Sequence, residues 1–284
     1  MSPLSAVRHG ACLVRATAID LAILAAHLLL YPTGMLPEHP PRIVPRDPAA
    51  DPYAVPGTPA GGAADLLSVP AVGGTAAHPP VLLLHGFVDN RSAFALLRRS
   101  LSRHGWTHVQ AVNYSPFTPD LRAAAEQLGA HVERTCEQTG RRRVDIVAHS
   151  LGGLIARYYV QRLGGDARVR TLVTLGTPHA GTRAVPSFTP HPLARQMRPG
   201  SPVLSELAGS APGCRTRFVA FWSDLDQLMI PVGSARLEHA DLLAENVHVT
   251  GIGHLALPVH APVAAEIRRA LGGRLLAGVE THAA

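Results

Sequence analysis

The chain has no lysine: all 26 of its basic residues are arginine, alongside 26 glycines and 25 prolines. That bias, together with the abundance of alanine, reads as the signature of a GC-rich coding sequence and not as selection for phosphate contacts. The net charge of +6 is scattered. The one basic run, Arg141-Arg142-Arg143, leads into an apolar stretch and reads as a solvated strand entry. Aromatics make up only 5% of the residues and none alternates with the arginines, so a nucleic-acid surface is excluded. Cysteine is equally scarce. The three, Cys12, Cys136 and Cys214, show neither C-x-x-C nor Cys/His spacing, which excludes a zinc site and a disulfide framework. At least one is unpaired, which favours a reducing compartment or the membrane periphery over export. The 16 histidines are dispersed without H-E-x-x-H, so no metal is expected.

A long uninterrupted apolar run is also missing. Residues 11–31 come nearest, but Arg15, Asp20 and His27 break them, and one central Asp or Arg costs roughly 2.5–3.5 kcal/mol in membrane insertion. The remaining run from Leu21 to Tyr31 is too short to cross a bilayer as a helix. A secretory signal would need a small-x-small cleavage site, and Tyr31-Pro32-Thr33-Gly34 follows instead. The expectation is an amphipathic helix ended by Pro32 and Gly34, docked on the body in preference to lying on a membrane. Residues 1–35 are therefore read as an N-terminal helix and residues 36–79 as a Pro/Gly/Ala-rich arm carrying one short strand at 65–69. Residues 80–284 form the main domain, long enough for a full core.

That domain alternates buried-strand and helix patterns. Strands are expected at 80–84, 108–112, 143–148, 169–175, 216–222 and 246–250, with helices through 94–97, capped by Asn90 or Ser92, and at 120–138, 154–163 and 263–271. Such alternation predicts an α/β fold with a mostly parallel sheet covered by helices on both faces, its active site at the carboxyl ends of the strands.

The strand at 143–148 stops abruptly at Ser150, and a helical pattern restarts at once. A serine on a tight strand-to-helix turn is lifted above the sheet at a positive helix end, with Gly152 making room and Ala148 standing where a first glycine is usual. The alternative for Ser150 is a helix cap. Other residues favour the nucleophile. His254, in the flexible loop Gly251-Ile252-Gly253-His254 after the last strand, is the candidate base. Asp226 is preferred over Asp224 as the orienting acid, because Leu228, Met229, Ile230 and Pro231 would bury its loop. Asp224 then caps a loop, and Asp145, inside a strand, makes a structural contact. His85-Gly86-Phe87 ends the first strand, where the Phe87 N–H would oppose the Leu151 N–H across a developing oxyanion.

Leu84-His85-Gly86-Phe87, Ala148-His149-Ser150-Leu151-Gly152-Gly153, Thr174-Leu175-Gly176-Thr177-Pro178-His179-Ala180-Gly181-Thr182 and Gly251-Ile252-Gly253-His254 together resemble bacterial lipases and esterases of the α/β-hydrolase superfamily. The likeness spans residues 80–271. It implies that Ser150, Asp226 and His254 are a catalytic triad, that the backbones of Phe87 and Leu151 form the oxyanion hole, and that His85, His149 and Leu255 contact substrate. It also implies an α/β-hydrolase fold, an acyl-ester or lipid substrate and no cofactor; a monomer is expected, and the first helix offers a peripheral membrane contact. Residues 179–213 would form a lid or substrate wall offering Phe188, Leu193, Met197, Val203, Leu204 and Leu207. An acyltransferase or amidase would use the same triad, and a non-catalytic lipid-binding protein would keep the fold without it.

Overall fold

The structure is a computed structural model that describes residues 3–35, 78–87, 89–114, 118 and 120–273. The expected strand at 65–69 and all but the end of the expected arm lie outside the described residues. Residues 1–35 and 77–284 form one compact unit.

Six strands build its sheet: β1 (Val81–Leu84), β2 (Val109–Val112), β3 (Val144–His149), β4 (Val169–Leu175), β5 (Arg217–Ser223) and β6 (Leu243–Val249). They lie in the order β2-β1-β3-β4-β5-β6, and every pairing is parallel. The helices are α1 (Pro3–Met35), α2 (Ala95–Arg103), α3 (Leu121–Thr139), α4 (Leu151–Arg162), α5 (Pro192–Gln196), α6 (Pro202–Ala208) and α7 (Ala261–Leu271). Alternating strand residues go to opposite faces. Leu82, Leu84, Ile146, Leu172 and Phe218 meet the layer of α3 to α6, while Val81, Leu83, Val147, Val173 and Phe221 meet α2 and α7. The chain leaves β1 on one side for β2 and returns on the other for β3. That reversal opens a crevice at the carboxyl ends of β1 and β3, where ligands bind in open parallel sheets.

Helix boundaries follow local chemistry. Asp120 caps α3 by accepting the Arg122 N–H at 3.0 Å, and Gly140 ends it in the left-handed conformation at φ 65°. Asn90 accepts the Ser92 N–H at 2.9 Å and starts the 3-10 turn Arg91–Phe94 that leads into α2.

Two expectations change. The first helix does not stop at Pro32 but runs 33 residues from Pro3 to Met35 with Pro32 inside it. Proline lacks one backbone donor, and in the last turn that removes little of the helical ladder. Its polarity is also turned inside out. Asp20 and His27 face the body, whereas Val14, Leu21, Leu28 and Leu29 are 61–81% exposed. In the stretch 179–213, Leu193, Met197, Val203, Leu204 and Leu207 are buried in the layer shared with α3 and α4, and Phe188 alone of the six expected side chains stays open, 86% exposed. Arg157 of α4 fastens this stretch. Its buried guanidinium donates to the carbonyls of His179 at 3.2 Å and Leu207 at 2.9 Å. Burial, with Arg162 nearby, lowers its pKa to about 10.

Asp145 sits in the strand as a structural group, fully buried and bound by Arg170 through Nε at 2.9 Å and Nη2 at 2.6 Å. Burial raises its pKa against the pull of that guanidinium. Replacing it by alanine removes the partner of a half-exposed arginine that can turn to water. Asp145→Ala is therefore expected to cost about 1–3 kcal/mol, below the ~3–5 kcal/mol of a fully buried broken pair, measured by urea unfolding.

Candidate active site

Ser150 ends β3 and begins α4 with φ 52° and ψ −123°, the only non-glycine positive φ among the described residues. Such a conformation persists only where its surroundings impose it. The Ser150 N–H donates to the Leu175 carbonyl at 2.9 Å, and its carbonyl accepts the Thr177 hydroxyl at 3.0 Å and the Gly153 N–H at 3.0 Å. Close packing of α4 on β1 completes the turn: a Cβ on Gly152 would lie 2.5 Å from the His85 carbonyl oxygen, so only glycine fits. Among the described residues Ser150 Oγ makes no hydrogen bond, and the half-buried side chain stands at the mouth of the crevice.

The loops after β5 and β6 bring Asp226 and His254 together. Both are almost fully buried, and His254 Nδ1 donates to Asp226 Oδ2 at 2.8 Å. With Nδ1 holding a proton, Nε2 is the nitrogen left to accept one. Burial alone would lower the His254 pKa. The charge and hydrogen bond of Asp226 outweigh it, Asp20 and Asp89 add to the pull, and the pKa rises above its usual 6.5. Asp226 in turn accepts the Leu228 N–H at 3.0 Å. The Ser223 hydroxyl ties the two loops by donating to the Ile252 carbonyl at 2.5 Å. Asp224 takes the expected capping role, accepting the Gly251 N–H at 3.2 Å.

His149 connects this pair to the nucleophile turn. Its ring lies 4.6 Å from that of His254, and Nε2 donates to the His254 carbonyl at 3.2 Å. Its Nδ1 faces Asp89 Oδ2 at 3.6 Å, too far for a hydrogen bond. Burial keeps this imidazole neutral by lowering its pKa. Burial would raise the Asp89 carboxyl, but the histidines beside it, with His27 Nδ1 at hydrogen-bond distance, outweigh that and hold it well below the usual carboxylate range. His85 is also buried: Nδ1 donates to the Gly86 carbonyl at 2.8 Å while its ring stacks on Tyr114 at 4.3 Å. The expected substrate contacts His85 and His149 thus bind backbone through their rings, and Leu255 lies half-buried beside His254.

Tyr114 went unnoticed in the sequence. Its hydroxyl donates to the Gly86 carbonyl at 2.7 Å, so two donors fix that peptide. In a trans peptide the N–H points opposite to the carbonyl, so the Phe87 N–H is turned away from His85 and Tyr114. A Cβ on Gly86 would lie 3.3 Å from Ser150 Cβ, which brings this turn against the nucleophile turn. Leu151 opens α4, where the first N–H groups have no helical partner. His179, in the third motif, is structural: fully buried, it bonds Thr174 Oγ1 at 3.0 Å, and burial beside Arg157 holds its pKa far below normal. Asp89, Asp20 and His27 were also missed as members of this cluster. The signal for the last two was present, since residues seven apart share a helix face.

The palmitoyl protein thioesterase family model matches residues 80–239, more than half of the chain, and includes the turns at Gly86 and Ser150 and the Asp226 loop. The chain belongs to the palmitoyl protein thioesterase family. That membership places it among hydrolases of the carboxylesterase and lipase type. It is also similar to the triacylglycerol lipase of Pseudarthrobacter phenanthrenivorans, 32% identical over 111 residues that cover 36% of this chain and 34% of that protein. A triacylglycerol lipase of Burkholderia plantarii matches at 32% over 111 residues, covering 36% and 30%. The match thus spans about a third of the length of these curated relatives. Among solved structures, Aspergillus fumigatus lipase B aligns with a TM-score of 0.62 at 16% identity, covering 72% of this chain and 55% of that one. The mature Bacillus licheniformis lipase BlEst2 aligns at 0.55 and 16%, covering 66% and 93%. These likenesses establish the α/β-hydrolase fold of this family member.

Gly176 offers a direct test of the geometry. It has φ 53°, and a Cβ there would lie 2.9 Å from Asp226 Oδ2 and 3.0 Å from His254 Nδ1. Gly176→Ala is expected to pry the pair apart and lower kcat/KM on an acyl ester by roughly 10²-fold, the scale of a small misplacement of reacting groups. Far-ultraviolet circular dichroism should remain that of the wild type.

Proposed function

We propose that the chain is a serine ester hydrolase that cleaves acyl esters or acylglycerols through an acyl-enzyme. The observation that carries this reading is the strained Ser150 turn beside the buried His254–Asp226 pair. Ser150 Oγ attacks the acyl carbonyl as His254 Nε2 takes its proton, and Asp226 holds the imidazole in the tautomer with Nδ1 protonated. The Ser150 Oγ to His254 Nε2 hydrogen bond forms when substrate enters, since catalytic hydrogen bonds in empty sites are commonly long or poorly aligned. The N–H groups of Phe87 and Leu151 hold the oxyanion. His254 then returns the proton to the leaving alcohol and activates the water that releases the acid. His85, His149 and Tyr114 support these groups, and Leu255, half-buried next to His254 in the chain, is the side chain assigned to the acyl group. The family's own name points to long acyl groups and includes thioesters in the substrate class.

Ser150→Ala should abolish hydrolysis of p-nitrophenyl butyrate and palmitate and of palmitoyl thioester, and fluorophosphonate should label the wild type alone. Turnover or labelling surviving in the variant would remove Ser150 from the mechanism. Because the base works only when neutral, kcat/KM should fall about tenfold per pH unit below the raised pKa of His254. Asp226→Asn should move that acid limb to lower pH and reduce kcat by roughly 10⁴-fold. Product analysis with added acceptor alcohol separates a hydrolase from an acyltransferase.

The outward face of α1 supports a peripheral lipid contact beside this chemistry. Residues Gly10–Leu29 have a mean hydropathy of 1.8, and Val14, Leu21 and Leu28 recur on one stripe of it. Leu21→Asp with Leu28→Asp should lower binding to phosphatidylcholine/phosphatidylglycerol vesicles by tenfold or more, read by cosedimentation, since each buried leucine contributes about 1.5–3 kcal/mol.

A further inference from the structure

Three side chains on the inward face of α1 reach three separate loops of the candidate active site. Thr17 Oγ1 accepts the amide of Gln227, the residue after Asp226, at 2.5 Å. Asp20 Oδ1 accepts the Ala256 N–H at 3.1 Å, and its carboxylate packs so closely on Gly253 that a Cβ there would collide with it. Asp20 therefore grips the chain on both sides of His254. His27 Nδ1 donates to Asp89 Oδ1 at 3.0 Å, and Asp89 lies next to the imidazole of His149 behind the His85-Gly86-Phe87 turn. Ala16, fully buried, and Ile23 complete this face with apolar contact.

We propose that α1 is a strap that sets the catalytic loops in register, with Asp20 and His27 as positioning residues for His254 and for the oxyanion turn. The proposal rests on the triad reading above and adds to it a segment outside the family match, which begins at residue 80. The physical case is the inward placement of polar groups on an otherwise apolar helix. A half-buried carboxylate and a buried imidazole are costly without partners, so the helix docks stably only where each finds its own. A one-residue slip turns both away from the body by about 100°. The register of α1 thereby restrains the loop after β1 relative to those after β5 and β6, two paired strands that are not neighbours of β1 in the sheet. The carboxylate of Asp20 also joins those that face His254 from the packed elements: Asp226 after β5 and Asp89 after β1, with the neutral imidazole of His149 from β3 as the other titratable group.

The discriminating experiment compares Asp20→Asn, Asp20→Leu and His27→Leu in the full chain, with rates taken on p-nitrophenyl butyrate across pH. Asn can still accept the Ala256 N–H but carries no charge. Asp20→Asn should therefore keep kcat at its optimum within a few-fold while the acid limb of kcat/KM moves down by roughly half a pH unit, less than an adjacent carboxylate would give. Asp20→Leu should lower kcat at least tenfold with KM nearly unchanged, and His27→Leu should slow fluorophosphonate labelling of Ser150 by a similar factor. Wild-type pH limbs in both Asp20 variants, with unchanged labelling in His27→Leu, would reduce α1 to packing and overturn the proposal. If Asp20→Leu does not fold, the pH limb of Asp20→Asn decides alone. Labelling of the wild-type Ser150 is the control: its absence would defeat the triad reading, whereas its presence with unaffected variants would defeat only the strap.

Discussion

The buried hydrogen bond between His254 and Asp226 is the constraint around which the rest of the site is arranged. An imidazole buried this deeply is pushed toward the neutral form, and a carboxylate at hydrogen-bond distance pulls it back. The balance leaves a base with a raised pKa and an oriented tautomer. Holding it takes more than one partner. The His254 carbonyl accepts from His149, the N–H after next donates to Asp20, and Gly176 is bare because any side chain would crowd the Asp226 carboxylate and the His254 ring. Each restraint comes from a different element: β3, α1 and the end of β4.

A second layer of polar groups lies beneath this pair, matched except at His85 Nε2 and His149 Nδ1. Asp89 sits between two imidazoles, Tyr114 and His85 share the Gly86 carbonyl, and Thr177 holds the carbonyl of the strained Ser150. Such networks rigidify a site when satisfied and penalise any other arrangement. They also account for histidines that sequence reasoning assigned to substrate. His85 and His149 stand next to the reacting groups in the chain, but a ring two or three ångströms from a backbone carbonyl and closed off from solvent is a support, and proximity in sequence does not distinguish the two roles.

Helix α1 shows how far composition can mislead about orientation. Arg15, Asp20 and His27 argue in the sequence against a span or signal, yet Gly10–Leu29 is long and apolar enough to cross a membrane by length and composition. Asp20 and His27 face the body, which offers those groups better partners than water through Ala256, Asp89 and the loops around them. The apolar residues are then left outward, which is where a lipid-facing surface would have them.

The sequence by itself determined the fold class, the six strands to within a few residues, and the identity of the Ser150, Asp226 and His254 candidates. These depend on local signals: alternating buried patterns, a small-residue turn after a β-branched strand, and loops that follow strand ends. The caps at Asn90 and Asp120 are equally local, each satisfied by an N–H two residues on. Tertiary structure alone decided which side chains support the site, that the apolar residues of 193–207 are core, that Pro32 lies within its helix, and that α1 presents its polar face inward. Those outcomes turn on contacts between residues as far apart as Asp20 and Ala256. A polar residue in an apolar run carries no mark of whether its partner is water or a distant carbonyl, so packing had to make that choice.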